Sequence, residues 1–271
     1  MDLSIIIVNY KTKGLLKQCL RGIYASRLEC SFEVIVIDSA SGDGSIDMVR
    51  HDFPEVVVIP LEVNRGLAVG NNAGLKIAKG RFLLVMNPDV AIFSGGVEII
   101  MKYLTEHPQV GLAVPKLINP DGSYQLSAMR FPRFMIAVWR RTPFGKLPVP
   151  AAMVERFLMK DWDHKETRPI GWGLGACFMF SRKTMEIVGL FDERFFLYLE
   201  DVDYCRRVWQ AGLEVHYVTS AEFVHYHERL SAKQPFWMGL FSYPARIHMR
   251  SWIKYFSKYL GAPPPPKELC V

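Results

Sequence analysis

Several common protein classes are excluded by what this sequence has little of. It holds five cysteines, Cys19, Cys30, Cys177, Cys205 and Cys270, an odd number with no CxxC pair. That pattern fits reduced thiols in a cytoplasmic protein better than a disulfide framework, and it gives no cysteine cluster for zinc. No apolar run approaches the roughly 18 residues that a spanning helix needs. The early run Ile5-Ile6-Ile7-Val8 follows no basic region and is too short for a secretory signal. No GxxxxGK(S/T) loop and no GxSxG elbow occur. Their absence removes P-loop nucleotidases and the usual α/β hydrolases.

What is present fits a folded α/β protein. Of 271 residues, 50% are hydrophobic and 22% charged, which excludes disorder and permits a large core. The net charge is +6, but it is unevenly placed. Residues 130–168 hold nine Lys/Arg against four Asp/Glu, and residues 225–271 hold seven against two. The remainder is mildly acidic. Such a body with two basic patches suggests contact with an anion: nucleotide phosphate, a membrane surface or nucleic acid.

The first third alternates strand and helix signals. Leu3–Val8, Phe32–Ile37, Val56–Ile59 and Arg81–Met86 read as buried strands. Thr12 is placed to cap a helix running to Ala25, and Leu67–Ala78 reads as another helix. This rhythm predicts a mostly parallel sheet flanked by helices, with ligands beyond the C-terminal strand ends. Residues 130–168 break the rhythm with prolines, arginines and aromatics. Later, Asp201–Ala211 reads as a helix stopped by Gly212, and Leu213–Val218 as a strand.

Four groups of residues could carry chemistry. Asp38 ends the second strand and opens a Ser/Gly/Asp loop. It could accept from a base or sugar, or the loop could be a simple turn with Asp43 and Ser45 capping the next helix. Asn87-Pro88-Asp89 ends the fourth strand, where a carboxylate can hold a hard divalent cation, though the tripeptide is also strong turn chemistry. Glu200-Asp201-Val202-Asp203 gathers carboxylates at a helix N-terminus, which serves either a general base or the helix dipole. His225-Tyr226-His227 points two imidazoles the same way on an extended chain, and one of them completing a Mg²⁺ or Mn²⁺ site with Asp89 is the economical reading. The run Gly171-Trp172-Gly173-Leu174-Gly175 lacks the βαβ context of a dinucleotide site.

The order of these pieces resembles family 2 inverting glycosyltransferases of GT-A fold, in their rhamnosyltransferase-like branch. The matching residues are Ser4–Tyr10, Val36-Ile37-Asp38, Asn64-Arg65-Gly66, Asn71, Asn87-Pro88-Asp89, Gly175-Ala176-Cys177, Phe191-Asp192-Glu193, Phe195–Asp203 and His225. The resemblance covers about residues 3–230 and implies a catalytic domain over 1–230, with 130–168 as an acceptor-side insertion. It implies that Val8, Asn9 and Tyr10 line the base pocket and that Asp38 reads the pyrimidine. Asn64, Gly66, Asn71 and Asn87 would flank the nucleotide and its diphosphate. Asp89 matches the last acid of the DxD metal motif, with Asn87 standing where the first acid is usual, and His225 would join it on Mg²⁺ or Mn²⁺. Asp201 matches the general base, with Glu200 beside it. Trp172, Gly173 and Asp203 are assigned to the acceptor. The implied partners are a nucleoside-diphosphate sugar, dTDP-rhamnose first and UDP-sugars second, and a glycan or lipid-linked acceptor in bacterial surface polysaccharide synthesis. Nucleic acid is not among them.

Residues 231–271 form a C-terminal segment ending in a proline-rich tail. Its aromatics, Phe236, Trp237, Phe241, Trp252 and Tyr255 among them, mix with Arg246, Arg250, Lys254 and Lys258, spaced every fourth residue on one helical face. That composition suits peripheral contact with the inner face of the cell membrane. It suits equally a helix packed on the domain or a homodimer. Two rival classes remain. A sugar nucleotidyltransferase would show a Gly-rich basic loop after the first strand, where Asn9–Gly14 has one glycine. A non-catalytic scaffold on this fold would not need Asp89, Glu200 and Asp201.

Overall fold

Strand β1, Leu3–Asn9, is buried at every position. It is a central parallel strand, covered on both faces, so its apolar run is unbroken. Ile5 and Ile7 face one side of the sheet and Ile6 and Val8 the other. The computed structural model describes residues 1–140, 142–226 and 242–271. Its further strands are β2 Phe32–Asp38, β3 Val57–Pro60, β4 Phe82–Met86, β5 Val90–Ala91, β6 Val110–Ile118, β7 Ala128–Met129, β8 Arg168–Pro169, β9 Trp172–Gly173, β10 Cys177–Ser181 and β11 Glu214–His225. The helices are α1 Lys13–Ala25, α2 Ser45–Asp52, α3 Leu67–Ile77, α4 Gly96–Glu106, α5 Ile136–Trp139, α6 Pro148–Phe157, α7 Arg182–Val188, α8 Glu200–Gln210 and α9 Tyr243–Lys258.

The main sheet runs β3-β2-β1-β4-β10-β6-β11-β5. The pairs β1–β2, β1–β4, β2–β3 and β6–β11 are parallel, while β10 runs against both its neighbours. The C-terminal ends of β1, β2, β4 and β11 therefore share one rim, and the N-terminal end of β10 reaches the same rim. Helices α1, α2 and α4 cover one face with Leu16, Val49 and Ile100. Helices α3 and α8 cover the other with Ala68, Leu75, Val202 and Cys205.

The predicted elements correspond with shifts of one or two residues, except that β11 is much longer than Leu213–Val218. Its second half, after a register shift between Val218 and Glu222, carries the chain to His225. Thr12 stands at the head of α1 but does not cap it through its side chain. Its hydroxyl donates instead to Asn9 Oδ1 at 2.7 Å. Residues 130–168 form α5, α6 and loops that pack Ile136, Phe157 and Met159 into the core. All five cysteines are free thiols. No described helix is long and apolar enough to cross a membrane.

Helix α9 packs on the domain. Ile247, Ser251, Trp252 and Tyr255 are its buried residues. The four-residue spacing of its basic side chains does not keep them on one outward stripe: Lys254 Nζ donates to Arg194 O at 2.7 Å, and Lys258 Nζ bonds Asp192 at 2.7 Å and Asp203 at 2.5 Å. His227, Phe236, Trp237 and Phe241 lie outside the described residues.

Asp203 has no exposed surface, and Lys258, Arg207 and Tyr259 all donate to it. Removing one partner of such a buried group strands the other charge. Lys258→Met is expected to lower unfolding free energy by about 3 kcal/mol. Lys254→Met, on an exposed side chain, should cost under about 1 kcal/mol. Urea denaturation of both variants measures the contrast.

Candidate active site

At the rim, β1 and β2 end level, with Asn9 paired to Asp38. Asn9 Nδ2 donates to Asp38 Oδ1 at 2.8 Å and to Ser41 Oγ at 3.1 Å. Asp38 Oδ2 accepts from Ser41 N at 3.0 Å. The carboxylate is buried and held by both strands and the loop after β2. Val8 lies beneath in the core, while Tyr10 is 45% exposed at the mouth. The turn Asn64–Gly66 is closed by Gly66 N donating to Asn64 Oδ1 at 2.9 Å. Gly66 has φ +97, and a Cβ there would collide with the Phe196 carbonyl oxygen, so only glycine fits. Leu67 N donates to that same oxygen at 2.8 Å. This ties the loop before α3 to the segment that leads into α8. Asn71 is buried in α3.

Asn87 N donates to Ala176 O at 2.9 Å, joining the end of β4 to the start of β10. One residue earlier, Gly175 N donates to Asp201 Oδ2 at 3.0 Å. Two backbone steps thus connect the Asn87-Pro88-Asp89 turn with the carboxylate of Asp201. Asp201 sits in the first turn of α8, and its Oδ1 accepts from Val202 N at 2.8 Å. Tyr198 and Leu199, immediately before the helix, both have φ +68, a conformation non-glycine residues adopt only when their surroundings impose it.

Burial pushes the Asp201 carboxyl up to about 6, and the two backbone N–H groups limit the rise. Glu200 is raised well above the usual range, first by burial and then by the Asp201 charge. Its Oε2 is buried without a hydrogen bond among the described residues. Of the pair, Asp201 ionises first because the backbone donors favour its charged form.

Asp89 and His225 meet across the rim. Tyr226 N donates to Asp89 O at 2.8 Å, and His225 Nε2 stands 3.4 Å from Asp89 Oδ2. His225 Nδ1 faces Gln125 Oε1 at 2.8 Å, while the Gln125 amide nitrogen faces Asn119 Oδ1 at 3.3 Å. With the amide so oriented, a neutral imidazole donates from Nδ1 and turns its Nε2 lone pair towards Asp89. Two lone-pair donors facing each other suit a shared cation, and an orienting bond on the remote ring nitrogen is usual for a ligand histidine. No group of three or more His, Cys, Asp or Glu able to hold a metal occurs among the described residues. A hard cation here would draw its other oxygens from diphosphate and water.

Three acceptor assignments do not agree with the packing. Trp172 is 9% exposed, donates its indole N–H to Arg130 O at 3.0 Å and packs against Phe157. It has little face left for a sugar. A Cβ at Gly173 would press on Val114 at 2.5 Å, so this residue lies against β6 rather than in an open pocket. Asp203 serves Lys258, Arg207 and Tyr259, and anchors α9 instead of contacting an acceptor.

Three positioning residues escaped the sequence reading. Gly175 supplies the N–H to Asp201; its glycine-rich run was visible, its role was not. Gln125 orients His225 from 100 residues away, and nothing local marks it. Asn72, beside the predicted Asn71, donates to Phe191 O and accepts from Phe191 N, both at 2.9 Å, and so holds the loop before α8.

The fold is the GT-A glycosyltransferase architecture. It superimposes on the mannosyltransferase PcManGT from Pyrobaculum calidifontis in complex with GDP-Man and Mn2+ with TM-score 0.64 at 19% identity, covering 98% of this chain and 66% of that one. With GalNAc-T7 bound to UDP, GalNAc and Mn2+ the TM-score is 0.62 at 17% identity, over 84% of this chain and 44% of the other. Residues 4–185 match the family model Glycosyl transferase family 2, and the chain belongs to that family. It is 29% identical over 252 residues to the N-acetylglucosaminyl-diphospho-decaprenol L-rhamnosyltransferase of Mycobacterium tuberculosis (strain CDC 1551 / Oshkosh), over 86% of this chain and 78% of that one. It is 23% identical over 271 residues to rhamnosyltransferase WbbL of Escherichia coli (strain K12), over 94% and 92%. The protein is a glycosyltransferase.

A Cβ at Gly175 would stand 3.0 Å from Asp201 Cβ and 3.3 Å from its Oδ2. Gly175→Ala is therefore expected to move the carboxylate and lower turnover about 100-fold, the cost of misplacing a reacting group by about 1 Å. Stability should fall by no more than about 2 kcal/mol. Turnover assays paired with denaturation curves check both; a kcat within about threefold of wild type would remove Gly175 from the positioning role.

Proposed function

We propose that this glycosyltransferase moves a sugar, with inversion, from a nucleoside-diphosphate donor to a hydroxyl of a glycan or lipid-linked acceptor. Asp201 is the general base. The observation that carries the reading is its setting: a buried carboxylate, fixed by two backbone N–H groups, at the rim where a parallel sheet binds ligands. It takes the proton from the acceptor hydroxyl as that oxygen attacks the anomeric carbon and the bond to the diphosphate breaks. Glu200, whose ionisation is opposed by burial and then by the Asp201 charge, is the less readily ionised of the two and leaves the role to Asp201.

Val8, Asn9, Tyr10 and Asp38 hold the base and ribose end of the donor, and Asn64, Gly66, Asn71 and Asn87 line its diphosphate. Asp89 and His225 would hold Mg²⁺ or Mn²⁺, which supplies Lewis-acid stabilisation of the leaving diphosphate when bound. The rhamnosyltransferase names of the relatives support rhamnose as the sugar moved; dTDP-rhamnose is the first donor to test and UDP-sugars the second. The diphospho-decaprenol in the mycobacterial relative's name supports a lipid-linked acceptor.

Only the ionised base accepts a proton. kcat/KM is thus expected to fall about tenfold per pH unit below about 6 and to level off above it. Asp201→Asn should lower transfer by about 10²–10⁴-fold at pH 8 while leaving donor binding intact. Initial rates across pH, with coupled detection of the released nucleoside diphosphate, test both; normal transfer by Asp201→Asn would sink the assignment.

Donor identity is read by thermal shift. The true nucleotide sugar should raise the melting temperature through linkage, more with Mn²⁺ present than without. Asp89→Ala should remove the Mn²⁺-dependent part of the shift. Equal shifts with every nucleotide sugar, or none, would count against this donor class.

A further inference from the structure

We infer that the outward face of α9, with the adjoining turn Arg133–Met135, is a docking surface for an anionic phospholipid bilayer. Helix α9 turns one side to the domain, and the other side presents Tyr243, Arg246, Met249, Arg250 and Ile253. The apolar members are open to solvent: Tyr243 is 66% exposed, Met249 39% and Ile253 52%, and Leu260 just past the helix is 88% exposed. Helical spacing of three and four residues places them together with Arg246 and Arg250 on one contiguous strip. Neither arginine forms an ion pair among the described residues, and α9 contains no Asp or Glu.

A second segment extends the strip. Trp252 Nε1 donates to Phe134 O at 3.0 Å, and the Phe134 ring meets Phe256 edge-on at 5.3 Å. Phe134 and Met135 are themselves exposed, and Arg133 beside them is exposed as well. The two basic regions of the sequence, 130–168 and 225–271, thus meet at this surface.

Alternating cations and apolar side chains with no carboxylate fit a headgroup layer, where arginines meet lipid phosphates and the apolar groups enter the acyl boundary. A second copy of the same face would bring arginines against arginines. Residues 227–241 of the chain carry Arg229 and Lys233 against the single Glu228, so their net charge is positive and does not complement the strip. The bilayer is the occupant whose chemistry matches. The inference deepens the reading of a lipid-linked acceptor, and its test uses no acceptor, so either can fail alone.

The experiment is co-sedimentation of the full chain with phosphatidylglycerol–phosphatidylcholine vesicles and with pure phosphatidylcholine vesicles. Binding is expected to the anionic vesicles and to weaken as salt rises. The double variant Arg246→Glu/Arg250→Glu should weaken it by about 30-fold or more, and Ile253→Ser by about tenfold. Melting temperature, read on the same samples, should stay within about 2 °C, since these side chains are exposed. Arg246→Gln/Arg250→Gln serves as the milder variant should the reversal disturb folding. Indifference of the wild type to anionic vesicles, or vesicle binding that neither charge variant changes, overturns the inference. So does a dimer in light scattering that the same charge variants disperse, which would give the face to a second copy.

Discussion

The arrangement of the active site depends on a carboxylate that never meets water. Asp203 lies on the first turn of α8 and receives Lys258 and Tyr259 from the C-terminal region and Arg207 from its own helix. Lys258 also reaches Asp192, whose carboxyl is held well below the usual range by Arg194 and then by Lys258. One ammonium therefore pins both the start of α8 and the loop before it. Burying these charges is costly unless every one is paired, and the chain meets that condition with four donors on two acids. Asp201 is two residues away on the same turn, so its position follows from this cluster.

The site then balances two opposing effects on neighbouring carboxylates. Burial disfavours ionisation at both Glu200 and Asp201. The N–H groups of Gly175 and Val202 select Asp201 as the one that carries charge. A second negative charge at Glu200 would be opposed by Asp201 and, more weakly, by Asp203. The result is a pair of adjacent carboxyls of which Asp201 is the more readily ionised, separated by environment and not by residue type. Because the Gly175 N–H comes from the lead into β10, and the next residue receives Asn87, Asp201 and the turn bearing Asp89 belong to one backbone unit. Their relative placement is set by the antiparallel register of β10 on β4, with Cys177 opposite Met86.

Most of the fold could be read locally because its signals are local. Buried strands such as Ile5–Val8 and Val34–Ile37 announce themselves within a few residues, and parallel order follows from β-α alternation. The end of each strand then locates Asn9, Asp38 and Asp89 without any knowledge of contacts. What could not be read is what long-range hydrogen bonds decide. Asn72 and Phe191 are 119 positions apart, and either of two adjacent asparagines in α3 could have been the clamp. Trp172 looked like a sugar platform because tryptophan's two uses, core and ligand face, leave the same letter in the sequence. Asp203 looked like part of an acidic site because only one of its cations, Arg207, is local, while Lys258 comes from a helix 55 residues on.

The same ambiguity affects charge. Regular four-residue spacing of Arg246, Arg250, Lys254 and Lys258 suggests one basic stripe, yet four residues advance a helix by about 400°, not a full number of turns. Over the stripe the direction drifts by about 120°, so its first members look outward and its last turns in. That drift divides the labour of α9. Lys258 holds α8 from within, and Arg246 and Arg250 stay exposed outside. The net charge of +6 is accordingly a sum of two unlike things. One part is the group of acids Asp38, Asp89, Glu200 and Asp201 gathered at the sheet's rim. Arg246 and Arg250 on α9, with Arg133 on the adjoining turn, stand instead on the exposed side of that helix. A charge total cannot reveal such a division, but the helical phase of four basic residues can, once the buried face of the helix is known.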